Sequence, residues 1–167
     1  MKVQVQRLTS VHDRTKFKCG EAELDKWLET QALQQQTRDT SRTFVLVDEA
    51  NPTVVLGFYA LTISQADGSS VPIRSQPKIV PVIRLACLAV REDLQGTSDR
   101  FGEFLLLQAI EQAVEISDAG AGVAVAVDAK HDNAASFYMK YGFQVSPDNP
   151  LVLYLPMSVC RQFVKAT

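Results

Sequence analysis

The residues best suited to chemistry begin with Leu88, Ala89 and Val90. There an apolar stretch over 82–90 gives way to a polar turn holding Gly96 and Gly102, and then to an apolar-periodic helix opening at Phe101. A strand–turn–helix unit with glycine in the turn aims backbone N–H groups at one spot, which the positive end of the helix dipole also faces. That is a generic seat for a pyrophosphate. On this stretch alone an ordinary strand–helix connection is the plainer reading. A second group is basic: Arg14, Lys16 and Lys18 alternate, and Arg38 and Arg42 flank a turn. Charge alone makes both a solvated surface. Tyr138, just before Gly142-Phe143, reads by itself as a half-buried aromatic on a helix.

Other chemistries are poorly served. His12 and His131 are the only histidines, too few for His-based metal chemistry. Cys19, Cys87 and Cys160 are odd in number and widely spaced, which suits reduced, buried thiols better than disulfides or a zinc site. A net charge of −2 gives the whole chain no attraction for nucleic acid, although a local basic patch stays open. With 167 residues, 46% hydrophobic and 22% charged, the chain is expected to form one globular domain over 1–167. No apolar run spans a bilayer and residues 1–7 lack a signal-peptide core, so the expected location is the cytoplasm.

The positioning elements follow from periodicity. Strands are expected over 2–8, 43–47, 53–63, 81–90, 123–127, 143–145 and 151–155. Those over 43–47 and 53–63 form a hairpin, in which Gly57 permits a bulge or a close backbone approach. Helices are expected over 21–36, with Trp27 in the core, over 101–116, ended by Gly120 and Gly122, and from Asp132 or Asn133 to Tyr141. Residues 64–80, with Gly68, Pro72 and Pro77, read as a long irregular connection. The order makes a mixed α/β (α+β) single domain.

Two motifs then resemble a known superfamily, the GCN5-related N-acetyltransferases. They are the strand ending Leu88-Ala89-Val90 with its glycine turn, and the run Ala134-Ala135-Ser136-Phe137-Tyr138-Met139-Lys140-Tyr141-Gly142-Phe143. A narrower resemblance covers nearly the whole chain. Phe17-Lys18-Cys19-Gly20, Leu24-Asp25-Lys26-Trp27-Leu28, residues 41–47 and Gly57-Phe58-Tyr59-Ala60-Leu61 look like the acetyltransferase toxins of bacterial toxin–antitoxin pairs.

That resemblance implies a central, mixed, mostly antiparallel sheet, splayed between its fourth and fifth strands and flanked by helices. It implies acetyl-CoA as donor with no metal, aminoacyl-tRNA as acceptor, a ribbon-helix-helix antitoxin as partner, a homodimer, and no membrane. Pantetheine would pair with Leu88, Ala89 and Val90, with an N–H near Leu88 facing the thioester oxygen. Pyrophosphate would rest on Gln95, Gly96, Thr97, Arg100, Phe101 and Gly102, with Asn133 a further contact. Tyr138 would protonate the departing sulfur, because a phenol of ordinary pKa near 10 is protonated at neutral pH. Arg14, Lys16, Lys18, Arg38 and Arg42 would meet tRNA.

The chain departs from the family in three places. Its turn is about two residues longer and lacks the middle glycine, Cys87 stands where the toxins carry Arg, and His131 stands where Asn is frequent. No residue stands out as a general base. The alternatives are an acetyltransferase of a small amine, peptide or protein amino group, and a non-catalytic CoA-binding module.

Overall fold

Seven strands take up most of the chain's apolar alternation in this computed structural model, which describes residues 1–166. They are β1 (Val3–Arg7), β2 (Arg42–Asp48), β3 (Gly57–Asp67), β4 (Ile79–Val90), β5 (Ala124–Asp128), β6 (Gln144–Val145) and β7 (Val152–Pro156). The helices are α1 (Ala22–Thr30), α2 (Ala32–Thr37), α3 (Phe101–Ala119), α4 (Asp132–Met139) and α5 (Met157–Ala166), and a 3-10 turn covers Glu92–Leu94. The strands form one sheet in the order β1-β2-β3-β4-β5-β7-β6. The β4–β5 pairing is parallel, whereas β1–β2, β2–β3, β5–β7 and β6–β7 are antiparallel. This is the mixed, mostly antiparallel sheet expected of the superfamily.

Two compact units share this chain, with β3, β4 and α3 each contributing to both. The first comprises Met1–Thr62 and Cys87–Ala109. In it β1 pairs with β2 (Val5 opposite Leu46) and β2 with β3 (Val45 opposite Phe58). The α1–α2 pair covers the core of this unit. Trp27 stacks on Phe58 with ring centres 6.2 Å apart, and Phe17 meets Phe58 edge-on at 5.4 Å. Trp27 is thus a packing residue, as its helical spacing suggested. The single helix expected over 21–36 is instead two, divided at Gln31 (φ −119°) between the fully buried Leu28 and Ala32. No glycine or proline marks that break.

The second unit comprises Ile63–Ala86 and Ile110–Thr167. Its β5, with Ala124, Val125 and Ala126 at 1% exposure or less, lies between β4 and β7, as a continuous apolar run requires. Here too the expectations need correction. The connection expected over 64–80 shrinks to 68–78, because β3 runs on to Asp67 and the Gly68 N–H already reaches the Lys78 carbonyl (2.9 Å). Val71 and Ile73 of that connection pack on Val80, Val82, Ala124 and Ala126, so it covers core instead of trailing in solvent. The helix α3 continues three residues beyond the expected 116. The closing helix α5 was not anticipated. Met157 and Cys160, three residues apart, are its buried anchors, and Arg161 ties it to Asp118 at 2.9 Å. Among the described residues no helix is long and apolar enough to cross a membrane.

One asymmetry prepares the site. β4 pairs with β5 only from Ile83 to Leu85, then runs five residues further to Val90.

Candidate active site

The end of β4 is fixed by backbone contacts on its β3 side. The Arg91 N–H donates to the Leu56 carbonyl at 2.9 Å. The peptide is planar and trans, so the Val90 carbonyl points to the opposite edge. There the Gln95 side-chain amide donates to it at 2.7 Å. Ala89 faces the other way. A Cβ built on Gly57 would lie 2.9 Å from the Ala89 carbonyl oxygen, so the β3 backbone comes close only because Gly57 has no side chain. By the alternation of strand backbone, Leu88 and Val90 present their groups to the edge away from β3, and Ala89 to β3 itself. Of the three residues expected along pantetheine, Leu88 and Val90 have the required direction. Of the two sequence readings of Gly57, a bulge or a close approach, the close approach is present.

The turn after β4 uses most of its side chains on the protein. Gln95 donates to the carbonyls of Cys19 (2.6 Å) and Val90. The Thr97 hydroxyl donates to the Leu94 carbonyl at 3.0 Å. Phe101 is buried. Arg100 has left-handed backbone (φ 54°) and pairs with Glu103, so its charge is balanced within the helix start. Gly96 also has positive φ (69°), and a Cβ there would meet nothing within 4 Å. What this stretch can offer an anion is therefore main chain. The first N–H groups of α3 have no acceptor inside the helix, Phe104 being the first to bond back, to the Arg100 carbonyl. The lengthened turn holds its shape through the Glu92–Leu94 3-10 turn, and the Glu92 N–H donates to the Lys18 carbonyl at 2.9 Å.

The basic residues belong to the same unit, and each is placed differently. Arg14 donates to the Glu29 carbonyl at the end of α1, and Lys16 lies 3.9 Å from Asp13. Arg42 pairs with Asp39 and also donates to the carbonyls of Gln36 and Ser41. Arg38 caps the C-terminus of α2, where a cation suits the dipole. Lys18 is exposed and follows the buried Phe17. Asp13 and Asp39 balance two of these five charges.

Tyr138 lies in the second unit, on α4. Its ring is buried against Phe137 (centres 5.2 Å apart) and Phe143 (5.4 Å), and the residue is 7% exposed. The helix is capped by His131, whose Nδ1 accepts from the Ala134 N–H at 3.2 Å, and not by Asp132 or Asn133. An imidazole nitrogen on extended backbone serves the N-terminal donors as a carboxylate would. Asn133 is exposed in the first turn of α4. Gly142 (φ 93°) turns the chain so that the Phe143 N–H faces the Tyr138 carbonyl (3.4 Å) and Phe143 comes under the Tyr138 ring. A Cβ at Gly142 would meet only Leu155 Cδ1, at an ordinary 3.7 Å, so the cost of a side chain there is conformational, about 1–2 kcal/mol. Gly142→Ala is expected to lower the melting temperature by several degrees. Gly120→Ala, with ordinary φ and only an ordinary 3.7 Å contact to the Ile116 carbonyl oxygen, should leave it unchanged. Thermal denaturation of the two variants checks this, and equal melting temperatures would contradict it.

Two of the three cysteines are poor nucleophiles. Burial, followed by the Asp25 carboxylate, pushes the Cys19 thiol up to about 12, and burial does the same to Cys160. Cys87 is buried as well. Among the described residues no group of three or more His, Cys, Asp or Glu side chains could hold a metal ion.

Comparison with known proteins gives these positions a context. No protein-family model matches the chain. It is 37% identical over 161 residues to a tRNA-acetylating toxin of Mycobacterium tuberculosis, covering 95% of this chain and 94% of that one. Its fold matches AtaT complexed with acetyl-methionyl-tRNAfMet, with a TM-score of 0.88 at 25% identity over 98% and 99% of the two chains. AtaTR bound with AcCoA matches at 0.83 and 26% identity over 97% and 98%. A tyrosine-to-phenylalanine mutant of AtaT bound to the C-terminus of the antitoxin AtaR matches at 0.81 and 25% over 96% of each chain. With that degree of identity over nearly its whole length, the chain belongs to the tRNA-acetylating toxins.

Proposed function

We propose that this protein transfers the acetyl group of acetyl-CoA to the α-amino group of aminoacyl-tRNA and thereby blocks translation. Identity at 37% over 95% of the chain to a tRNA-acetylating toxin carries this reading. The main-chain direction at Leu88 and Val90 supports it. Acetyl-CoA supplies a thioester as the activated acyl group. The chain's residues orient it and manage charge and proton. Leu88 and Val90 pair with the pantetheine arm, and an N–H near Leu88 donates to the thioester oxygen as negative charge develops there, worth a few kcal/mol of barrier. Main-chain N–H groups from Gly96 to Gly102 hold the pyrophosphate at the helix start. The substrate amine attacks the carbonyl carbon, the carbon–sulfur bond breaks, and the Tyr138 phenol gives its proton to the departing thiolate. The proton lost from the amine goes to solvent and the phenolate is reprotonated. No side chain is assigned as a base, because an α-amine next to an ester is less basic than a lysine and needs less help.

The same proposal makes residues 1–167 one acetyltransferase domain, working as a cytoplasmic homodimer and neutralised by a ribbon-helix-helix antitoxin. Arg14, Lys16, Lys18, Arg38 and Arg42 contact tRNA, with Asn133 a further contact to the cofactor. The test is direct. Purified protein with labelled acetyl-CoA is offered charged tRNA, uncharged tRNA, spermidine and a lysine peptide. Label should enter only the charged tRNA and be released with its amino acid. Transfer to spermidine or the peptide instead would establish the small-amine reading, and no acetyl-CoA binding by calorimetry would establish the non-catalytic one.

A further inference from the structure

The segments Phe17–Gly20 and Leu24–Leu28 match the toxin family, yet the chemistry above gives them no task. The hydrogen bonds around Gln95 supply one. Its side-chain amide carries two N–H donors, and both are used, on the Cys19 carbonyl at 2.6 Å and the Val90 carbonyl at 2.7 Å. Cys19 is itself held, its N–H donating to the Asp25 carboxylate of α1 at 2.9 Å. Next to it the Lys18 carbonyl accepts the Glu92 N–H, and Gly20 faces the Glu92 side chain, whose Oε1 would lie 3.2 Å from a Cβ there. A continuous chain of polar contacts thus runs from Asp25 on α1, through the main chain of Cys19, to the Gln95 amide and the last carbonyl of β4.

From this geometry we infer that Gln95 is a positioning residue for acetyl-CoA. Its side chain does not touch the cofactor. It straps the Val90 end of β4 and the following turn onto a seat built by Phe17–Gly20 and Asp25. The inference rests on the proposed use of Leu88, Val90 and the turn for acetyl-CoA. A primary amide is the right group for the task. It is planar, neutral and has two donors, matching two carbonyls that approach from different segments. A carboxylate of the same shape would set acceptor against acceptor at both contacts, and a methyl group would leave both carbonyls to water. Because Val90 O lies on the edge away from β3, the strap also caps the main-chain acceptor just beyond the Val90 N–H, which leaves that N–H as the last group to pair with pantetheine. That fixes where the ladder with pantetheine must stop. The motifs at 17–20 and 24–28 then belong to the cofactor site without lining it.

The experiment compares the wild type with Gln95→Ala and Gln95→Glu. It measures hydrogen exchange of segments 17–20 and 90–100 in the ligand-free proteins, and calorimetric binding of both acetyl-CoA and acetyl-pantetheine. Both variants should exchange faster in both segments and bind both ligands about tenfold more weakly, with Glu weaker than Ala. At saturating donor, kcat should stay within about twofold of the wild type. Acetyl-pantetheine lacks the pyrophosphate, so weakened binding of acetyl-CoA alone would overturn the proposal and make Gln95 a phosphate contact. Unchanged exchange would overturn it too, by showing that there is no strap to lose. A wild-type protein that binds neither ligand would refute the acetyl-CoA reading itself before any variant is examined, and the strap's role in binding would fall with it.

Discussion

Tyr138→Phe is expected to lower kcat for acetyl transfer by about 10²- to 10⁴-fold, the range typical of losing a general acid, while leaving the affinity for acetyl-CoA unchanged. The substitution removes only the phenolic oxygen. The ring stays, and with it the packing on Phe137 and Phe143 that holds the start of the Tyr141–Phe143 turn. Folding should therefore change by no more than about 1 kcal/mol, the scale of a single hydrogen bond. The expected pattern is a catalytic loss without a binding or folding loss, which marks a group acting mainly in the transition state. Tyr141→Phe serves as the control. Tyr141 packs on Phe137 at 5.3 Å, and its substitution should leave turnover within a few-fold of the wild type. Single-turnover kinetics with charged tRNA, beside calorimetry with acetyl-CoA, separates the two variants. In cells, growth arrest on induction should disappear with Tyr138→Phe and persist with Tyr141→Phe. Turnover retained by the Tyr138 variant would remove the phenol from the mechanism.

How much of this the sequence disclosed varies with the kind of interaction. Periodicity located each strand but not its ends: the alternation of β1 and β2 and the continuous apolar run of β5 are local patterns that burial enforces, whereas β3, expected over 53–63, runs from Gly57 to Asp67. A glycine in a strand left Gly57 as a bulge or a close approach, and it is the close approach that the structure shows. Residues 157–166 had a usable signal in Met157, Cys160 and Phe163 at helical spacing, but they follow a strand directly, with only Pro156 between Leu155 and Met157. The break at Gln31 had no local signal. It follows from the need to bury Leu28 and Ala32 together, a tertiary demand without glycine or proline to announce it. His131 as the cap of α4 was missed because Asp132 and Asn133 have the stronger intrinsic preference. The site shows the same division. Leu88, Val90 and Tyr138 are proposed from motifs, since their neighbours in sequence define them. The task of Gln95 could not, because its two partners are main-chain carbonyls 76 and 5 residues away, and a carbonyl has no residue type to read.

The second large effect is expected at Gly57, where structure and function meet without any reactive group. Gly57 does not share the positive φ of Gly20, Gly96, Gly122 and Gly142, so alanine is conformationally acceptable there. On conformational grounds alone, Gly57→Ala should even gain a few tenths of a kcal/mol by restricting the unfolded chain. The space decides otherwise. The new methyl would lie 2.8 Å from Leu105 Cδ1 and 2.9 Å from the Ala89 carbonyl oxygen. Leu105 is fully buried in α3 and cannot swing away at no cost, and the carbonyl is backbone. Overpacking of this kind costs typically 1–3 kcal/mol, which in a domain of this size lowers the melting temperature by roughly 2–4 °C per kcal/mol. The only relief open to Ala89 is a shift of β4 away from β3, toward the edge assigned to pantetheine. The apparent KM for acetyl-CoA should therefore rise more than kcat falls, distinguishing Gly57→Ala from Tyr138→Phe, whose losses run the opposite way. Shortening Leu105 to Val in the same chain should recover part of the stability, because one of the two clashes is removed. It should recover less of the KM, because the clash with the Ala89 carbonyl persists. Full recovery of both would place the strain in α3 and leave the end of β4 unmoved by the methyl group. No loss of stability in the single variant would mean that the close approach of β3 to β4 yields without cost, and that the direction of Leu88 and Val90 does not depend on it.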